Sequence, residues 1–381
     1  MKIKSLELNR AYYRDCVSKI INEKCPDIAG RHAAALIGYG SEVLGNDDEF
    51  SKRYGWGPRL LLFLTQDDHR AWGEKLLEIL QKRVPLTFLG YPTRYTENEP
   101  PHPTQNPEAT VGIAITTCER FLELYLGISR TDFPANPLSA KEWLLINEAC
   151  LLRLVSGEVY HDSAGTLTRL REYFSYFPDD VWRYKLAYQW ATLSWDISLI
   201  GYCAHRGDIL SARIATARSV ERIIGLVFLL NKVYQPGYLK WIHRQFYKLP
   251  HLTAEVGTVL EKAMTASDSS DVTQSLYPVI DKLIEFQREY AGIPVPDYKN
   301  PPELDPGFFN YNLAIVAEVV RASIRGELAA LSTTIGALDQ WITDQDLLMV
   351  PLQLRLLKTL YDCENPEKEL LGRSRLEDKG V

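Results

Sequence analysis

No Cys-x-x-Cys pair occurs among the six cysteines, Cys16, Cys25, Cys118, Cys150, Cys203 and Cys363, which are scattered along the whole chain. That spacing argues against a structural zinc site, and unpaired thiols fit a reducing compartment. Long apolar runs are missing as well. The longest, Ile223 to Leu230, falls far short of the ~20 residues that span a bilayer. The start, Met1-Lys2-Ile3-Lys4-Ser5-Leu6-Glu7, has no apolar signal-peptide core. A cytoplasmic protein is therefore expected, with no membrane partner. Basic charge is not in excess either: 43 Lys and Arg face 49 Asp and Glu, for a net charge of −6. Nonspecific nucleic-acid binding needs clustered cations, so no nucleic-acid partner is expected. No internal repeat is found.

What remains is an ordinary globular composition, 46% hydrophobic and 24% charged, over 381 residues. That length is comfortable for two domains, each with its own core. An amphipathic helix is expected over 7–24. Short apolar runs predict strands near 33–39 and 59–65, followed by a helix from a cap at Asp67 to about Arg83. The proline-rich stretch 96–108 reads as a loop or flap, Val111 to Ile115 as a strand leading into a helix from Thr117, and Gly157 to Asp162 as a short strand or turn. After Pro178 the pattern becomes helical. A long helix to about Ala204 is broken at Gly207-Asp208. Helices then follow near 211–234, 238–248, 253–266, 272–290, 308–327 and 329–341, with a proline-rich linker or lid over 291–307. The expected division is 1–175, 176–365 and a charged tail, 366–381.

The segment Gly40-Ser41-Glu42-Val43-Leu44-Gly45, followed by Trp56-Gly57-Pro58-Arg59, joins the two early strands. Glycine permits positive φ and close approach of an anion to the backbone, and a serine hydroxyl can bind a phosphate oxygen. With Gly157-Glu158-Val159-Tyr160-His161-Asp162, Asp180-Val181-Trp182, Gly207-Asp208, Tyr234 and Lys240-Trp241, this ordered set resembles the nucleotidyltransferase superfamily. More narrowly, it resembles a nucleotidyltransferase-like family with a helical carboxy-terminal domain. The resemblance implies an α+β fold: a mixed-sheet amino-terminal domain and an all-helical second domain, with a ligand cleft between them.

The same resemblance implies an Asp-x-Asp metal pair just before Trp56. Arg53 and Gly55 occupy those positions, and neither a guanidinium nor a bare glycine ligates Mg²⁺. No metal or cofactor is therefore expected. The alternative keeps Mg²⁺ and ATP, with Asp47 and Asp48 as relocated ligands joined by Glu158 or Asp162. The other reading of Asp47-Asp48-Glu49 is a solvated acidic turn.

Candidate catalytic residues are Arg53, as a fixed cation in place of metal, Tyr54 as proton donor, and Glu158, His161 and Asp162 as acid–base groups. Ser41, Glu42 and Arg59 are candidates for anion binding. On the long helix, Tyr188 and Trp195, at seven-residue spacing, read as either a core stripe or an aromatic wall for a ligand, with Asp196 beside them. Arg218, Tyr234 and Lys240 match, by pattern, groups that related proteins direct at a triphosphate; ion pairing is the alternative for the cations. The leading functional expectation is a repurposed, metal-independent acid–base enzyme, of cyclase or isomerase type, acting on a small organic molecule in specialised metabolism. A nucleotidyltransferase with relocated carboxylates and a catalytically silent ligand-binding protein are the alternatives.

Overall fold

The computed structural model describes residues 3–98, 100–299, 311–331 and 335–362, apart from the side chain of Arg53. The expected tail at 366–381, residues 300–307 of the expected linker and the first three residues of the helix expected at 308–327 lie outside these. The chain divides into two compact units. The first comprises Met1–Pro137, Ala149–Ser175 and Met349–Leu352. The second comprises Leu138–Glu148, Tyr176–Leu348 and Gln353–Val381.

The first unit is built on a four-stranded mixed sheet, in the order Ile113–Thr116, Leu60–Phe63, Ala33–Leu36, Glu158–Asp162. Leu60–Phe63 runs parallel to Ile113–Thr116 and antiparallel to Ala33–Leu36, with Ala34 opposite Leu62. The alanine strand is wholly buried. Its small side chains admit the layer of Tyr12, Val17, Ile21, Leu62, Leu76 and Leu80, all fully or nearly fully buried in one apolar cluster. The expected helix over 7–24 is Ser5–Tyr12 and Ser18–Lys24 joined by a π-helical turn at Tyr13–Val17.

Several expectations need correction. The helix Gln66–Arg83 is capped by Thr65, whose hydroxyl accepts the Asp68 N–H at 3.1 Å, and not by Asp67. The proline-rich stretch is not a free flap, because Pro103–Thr104 pairs with Arg94–Tyr95, which pairs in turn with Thr110–Val111.

The second unit is helical. Asp179–His205 and Ile209–Leu230 form a hairpin, in which Asp208 accepts the Ser211 N–H at 3.0 Å. The helices Thr253–Thr265, Ser269–Ala291 and Leu313–Ala322 pack around that pair. Of the expected helix over 329–341, residues 332–334 lie outside the described residues; the described part holds the end of a 3-10 segment at Gly326–Ala330 and a single turn at Leu338–Trp341. Gly336, just before that turn, is at φ +64°. Among the described residues, no helix is long and apolar enough to cross a membrane.

Gly157 shows why one motif glycine is needed for the fold alone. Its φ is +71°, its N–H bonds the Val43 carbonyl at 2.9 Å, and a Cβ there would collide with the Leu36 carbonyl oxygen. Gly157→Ala is therefore expected to cost about 2 kcal/mol or more, read as a lower urea midpoint.

Candidate functional site

The motif residues of the first unit hold the chain together locally. Gly40, at φ +123°, turns into the 3-10 segment Ser41–Leu44. Glu42, buried within that turn, pairs with Arg59, whose Nε lies 3.0 Å from Oε1 and whose guanidinium also donates to the Tyr39 carbonyl. A Cβ on Gly40 would strike both the guanidinium and the carboxylate. The turn expected to cradle an anion thus has its acidic side chain sealed by the arginine expected to help it.

The other carboxylates are equally occupied. Glu158 takes two 2.6 Å bonds from Arg10. Asp162, at the other end of the same strand, accepts from the Thr168 N–H at 2.8 Å and hydroxyl at 2.9 Å. Asp47 is buried and accepts from the Ser5 N–H at 2.7 Å and Lys4 at 3.1 Å, and Asp48 holds Ser51. Among the described residues no three His, Cys, Asp or Glu side chains group to hold a metal ion. To serve as the relocated Mg²⁺ ligands of the alternative reading, Asp47, Asp48, Glu158 and Asp162 would each have to leave a structural partner.

His161 lies 4.7 Å, ring to ring, from His32, which contacts the Tyr13 hydroxyl at 2.9 Å; burial holds His32 below the ordinary imidazole range. Tyr54 is exposed, edge-on to His102. The side chain of Arg53 falls outside the described residues.

In the second unit the expected aromatic wall separates. Tyr188 is buried against Gly336, whereas Trp195 is 67% exposed and lines a shallow hollow with Glu318 and Arg321. Asp196 is buried and paired with Arg222 at 3.2 Å. Tyr234 is buried against Tyr176 and Phe177, and Arg218 is exposed. Lys240, exposed beside the rings of Tyr238 and Trp241, is the one expected site residue that lines the cavity described next.

That cavity, about 520 Å³, lies entirely within the second unit. Its size is that of a small-molecule site. Glu148, Lys185 and Asp339 contribute to it, with Gln235, Tyr238 and Trp341 on its walls. Lys185 and Asp339 are 1% and 4% exposed and form an ion pair at 2.6 Å. The second Asp339 oxygen accepts the Glu148 N–H at 2.8 Å. Burial alone would lower the Lys185 pKa, but Asp339 and Glu148 together outweigh it and hold the ammonium above its ordinary value.

For Glu148 the balance goes the other way. Burial pushes the carboxyl up, and Asp339 adds to the rise. Lys185 and the Gln235 N–H oppose it, and the result is about 7. Tyr176 and Tyr234 are raised by burial and further by Glu148. The arrangement is therefore two carboxyl groups sharing one lysine, one of them poised to exchange a proton near neutrality.

None of Glu148, Lys185 and Asp339 was expected from sequence. The available signal was Lys185 itself. It sits in a helix turn with Tyr184, Leu186, Ala187 and Trp190, all buried, so no solvent face exists to take it.

Residues 143–242, which include Glu148, Lys185, Gln235 and Lys240, match the model of a family described as a domain of unknown function (DUF4037). Among solved structures the chain is similar to a nucleotidyltransferase-like protein from Exiguobacterium sibiricum 255-15. The identity is 10% and the TM-score 0.33, over 72% of this chain and 78% of that one. No curated protein matches the chain.

Two outcomes follow from the buried pair. Lys185→Met should cost about 3–5 kcal/mol, because Asp339 is left charged and buried, and adding Asp339→Asn should return part of that loss in chemical denaturation. Glu148 carries the opposite sign from a salt-bridged acid. Between its ordinary value of about 4.5 and about 7, the unfolded chain has released a proton that the folded chain keeps. Its contribution to stability therefore falls as pH rises through that window. Glu148→Gln should raise the melting temperature by a few degrees at pH 8 and change it little at pH 4.5.

Proposed function

We propose that the protein is a metal-independent acid–base enzyme acting on a small organic molecule bound in the cavity of its helical unit, with Glu148 as the proton-exchanging group. One observation carries the reading. Glu148 is a cavity carboxyl whose pKa is raised to about 7, beside a lysine already committed to another acid. A group with a pKa near the working pH is the most effective general acid or base. Lys185 is held charged, so it serves as an electrostatic anchor and not as an amine nucleophile.

The reading keeps the chemistry expected from the substituted metal motif but moves it away from Arg53, Tyr54 and His161. The occupied partners of Asp47, Glu158 and Asp162 weigh against nucleotide transfer through relocated ligands. Cyclisation and isomerisation both fit such a carboxyl.

The test is turnover of a metabolite extract followed by mass spectrometry. Consumption of a substrate should persist in EDTA, fall about 100-fold or more in Glu148→Gln, and survive Tyr54→Phe. Turnover that EDTA abolishes, or that Glu148→Gln leaves intact, removes the proposal.

A further inference from the structure

The charges around the cavity define what its ligand should bring. Lys185 is spent on Asp339 at 2.6 Å and Arg222 on Asp196 at 3.2 Å. Lys185 and Arg222 thus each already have an acidic partner. Glu148 is the acid left over. Its carboxylate takes the Gln235 N–H, and it shares Lys185 with Asp339. Glu221 adds a further acidic side chain to the lining, and the exposed Lys240 is the third cation of the lining. An anion entering this cavity meets carboxylates whose counter-charges are taken. A cation meets an acceptor that ionisation would complete. The walls offer a second feature: the rings of Tyr238 and Trp341, 42% and 38% exposed, together with Leu239 and Ile342. Ring faces favour both an apolar body and a nearby positive charge.

We propose that the cavity takes a small primary amine, its ammonium group donating to the Glu148 carboxylate and its apolar or aromatic body lying along Tyr238 and Trp341. This rests on the reading of the cavity as a small-molecule site and names the class of its ligand. Binding converts the Glu148 carboxylic acid to carboxylate, and the proton released goes to solvent. The charged and titratable groups facing Glu148 are Lys185, Asp339, Tyr176 and Tyr234. The lysine is held charged, and both tyrosines are held protonated far above neutrality, so the release is assigned to Glu148.

Phenethylamine, 2-phenylethanol and 3-phenylpropionate share a body and differ in the polar end, so calorimetry with the three on the full chain tests the assignment. The amine should bind and the other two should bind at least tenfold more weakly. Its affinity should rise about tenfold per pH unit up to pH 7 and then level off, since each unit ionises tenfold more of Glu148. At pH 6.5 the heat should differ between phosphate and Tris, which reports proton release. Glu148→Gln should lower amine affinity at least tenfold at pH 8, and Trp341→Phe should remove the fluorescence change on binding, which locates the probe. Preferential binding of the carboxylate or alcohol, reported by Trp341, would overturn the amine while leaving the cavity as a small-molecule site. Affinity indifferent to pH, or unchanged in Glu148→Gln, would overturn it as well. Binding of none of the three probes would count against both the amine and the cavity.

Discussion

The helical unit depends on an ion pair that water scarcely reaches, Lys185 with Asp339. Removing both charges from water costs several kcal/mol per ion, and only good geometry with every remaining donor and acceptor filled recovers that. The surroundings supply part of that condition. Asp339 uses one oxygen for the lysine and the other for the Glu148 N–H. Its neighbour Gln340 donates to the Lys185 carbonyl at 3.0 Å and to Gln189 at 3.1 Å, and its own carbonyl accepts from Arg222 at 3.1 Å. Gln189 reaches the Arg222 carbonyl at 2.9 Å. The short turn Leu338–Trp341, too brief to be stable alone, is thereby fixed onto Asp179–His205 and Ile209–Leu230. It carries Trp341 to the cavity wall as it does so.

That network also sets the chemistry of Glu148. A single lysine cannot fully compensate two carboxyls at once, and the closer one, Asp339, takes most of its charge. Glu148 is left with a backbone donor and a share of the ammonium, which is less than its desolvation. The proton stays because the site has one positive charge too few. A second cation supplied from outside would remove the imbalance, and this is why the same geometry that raises the carboxyl favours a cationic ligand.

The sequence made the architecture legible wherever local signals agreed with burial. Strands at Ala33–Leu36 and Leu60–Phe63, the helical run after Pro178 and the break at Gly207-Asp208 all follow from apolar period and turn residues. Caps and short elements were less legible, because Thr65 and Asp67 compete for one helix start and only geometry decides between them. The cavity was illegible for a different reason. Glu148, Lys185 and Asp339 lie far apart along the chain, and each is a common residue that reads as solvated surface when taken alone. Only Lys185 broke its local pattern, and a buried cation inside an apolar helix is a statement that a partner exists, not which one.

The motif of the first unit teaches the complementary lesson. Its glycines, carboxylates and arginine were readable as a motif, yet each charged member has a partner of its own, near in sequence or far. Arg59 closes on Glu42, Arg10 on Glu158, and Asp162 on the start of the helix Thr166–Tyr173. A metal site needs carboxylates whose charge is unspent until the ion arrives, because the ion must repay their desolvation and mutual repulsion. In this structure the acids take local donors instead. The motif residues Glu42, Arg59, Glu158 and Asp162 are each held by such a structural bond. Function then has to be argued from the acid that retains an unbalanced charge, and Glu148 meets that requirement.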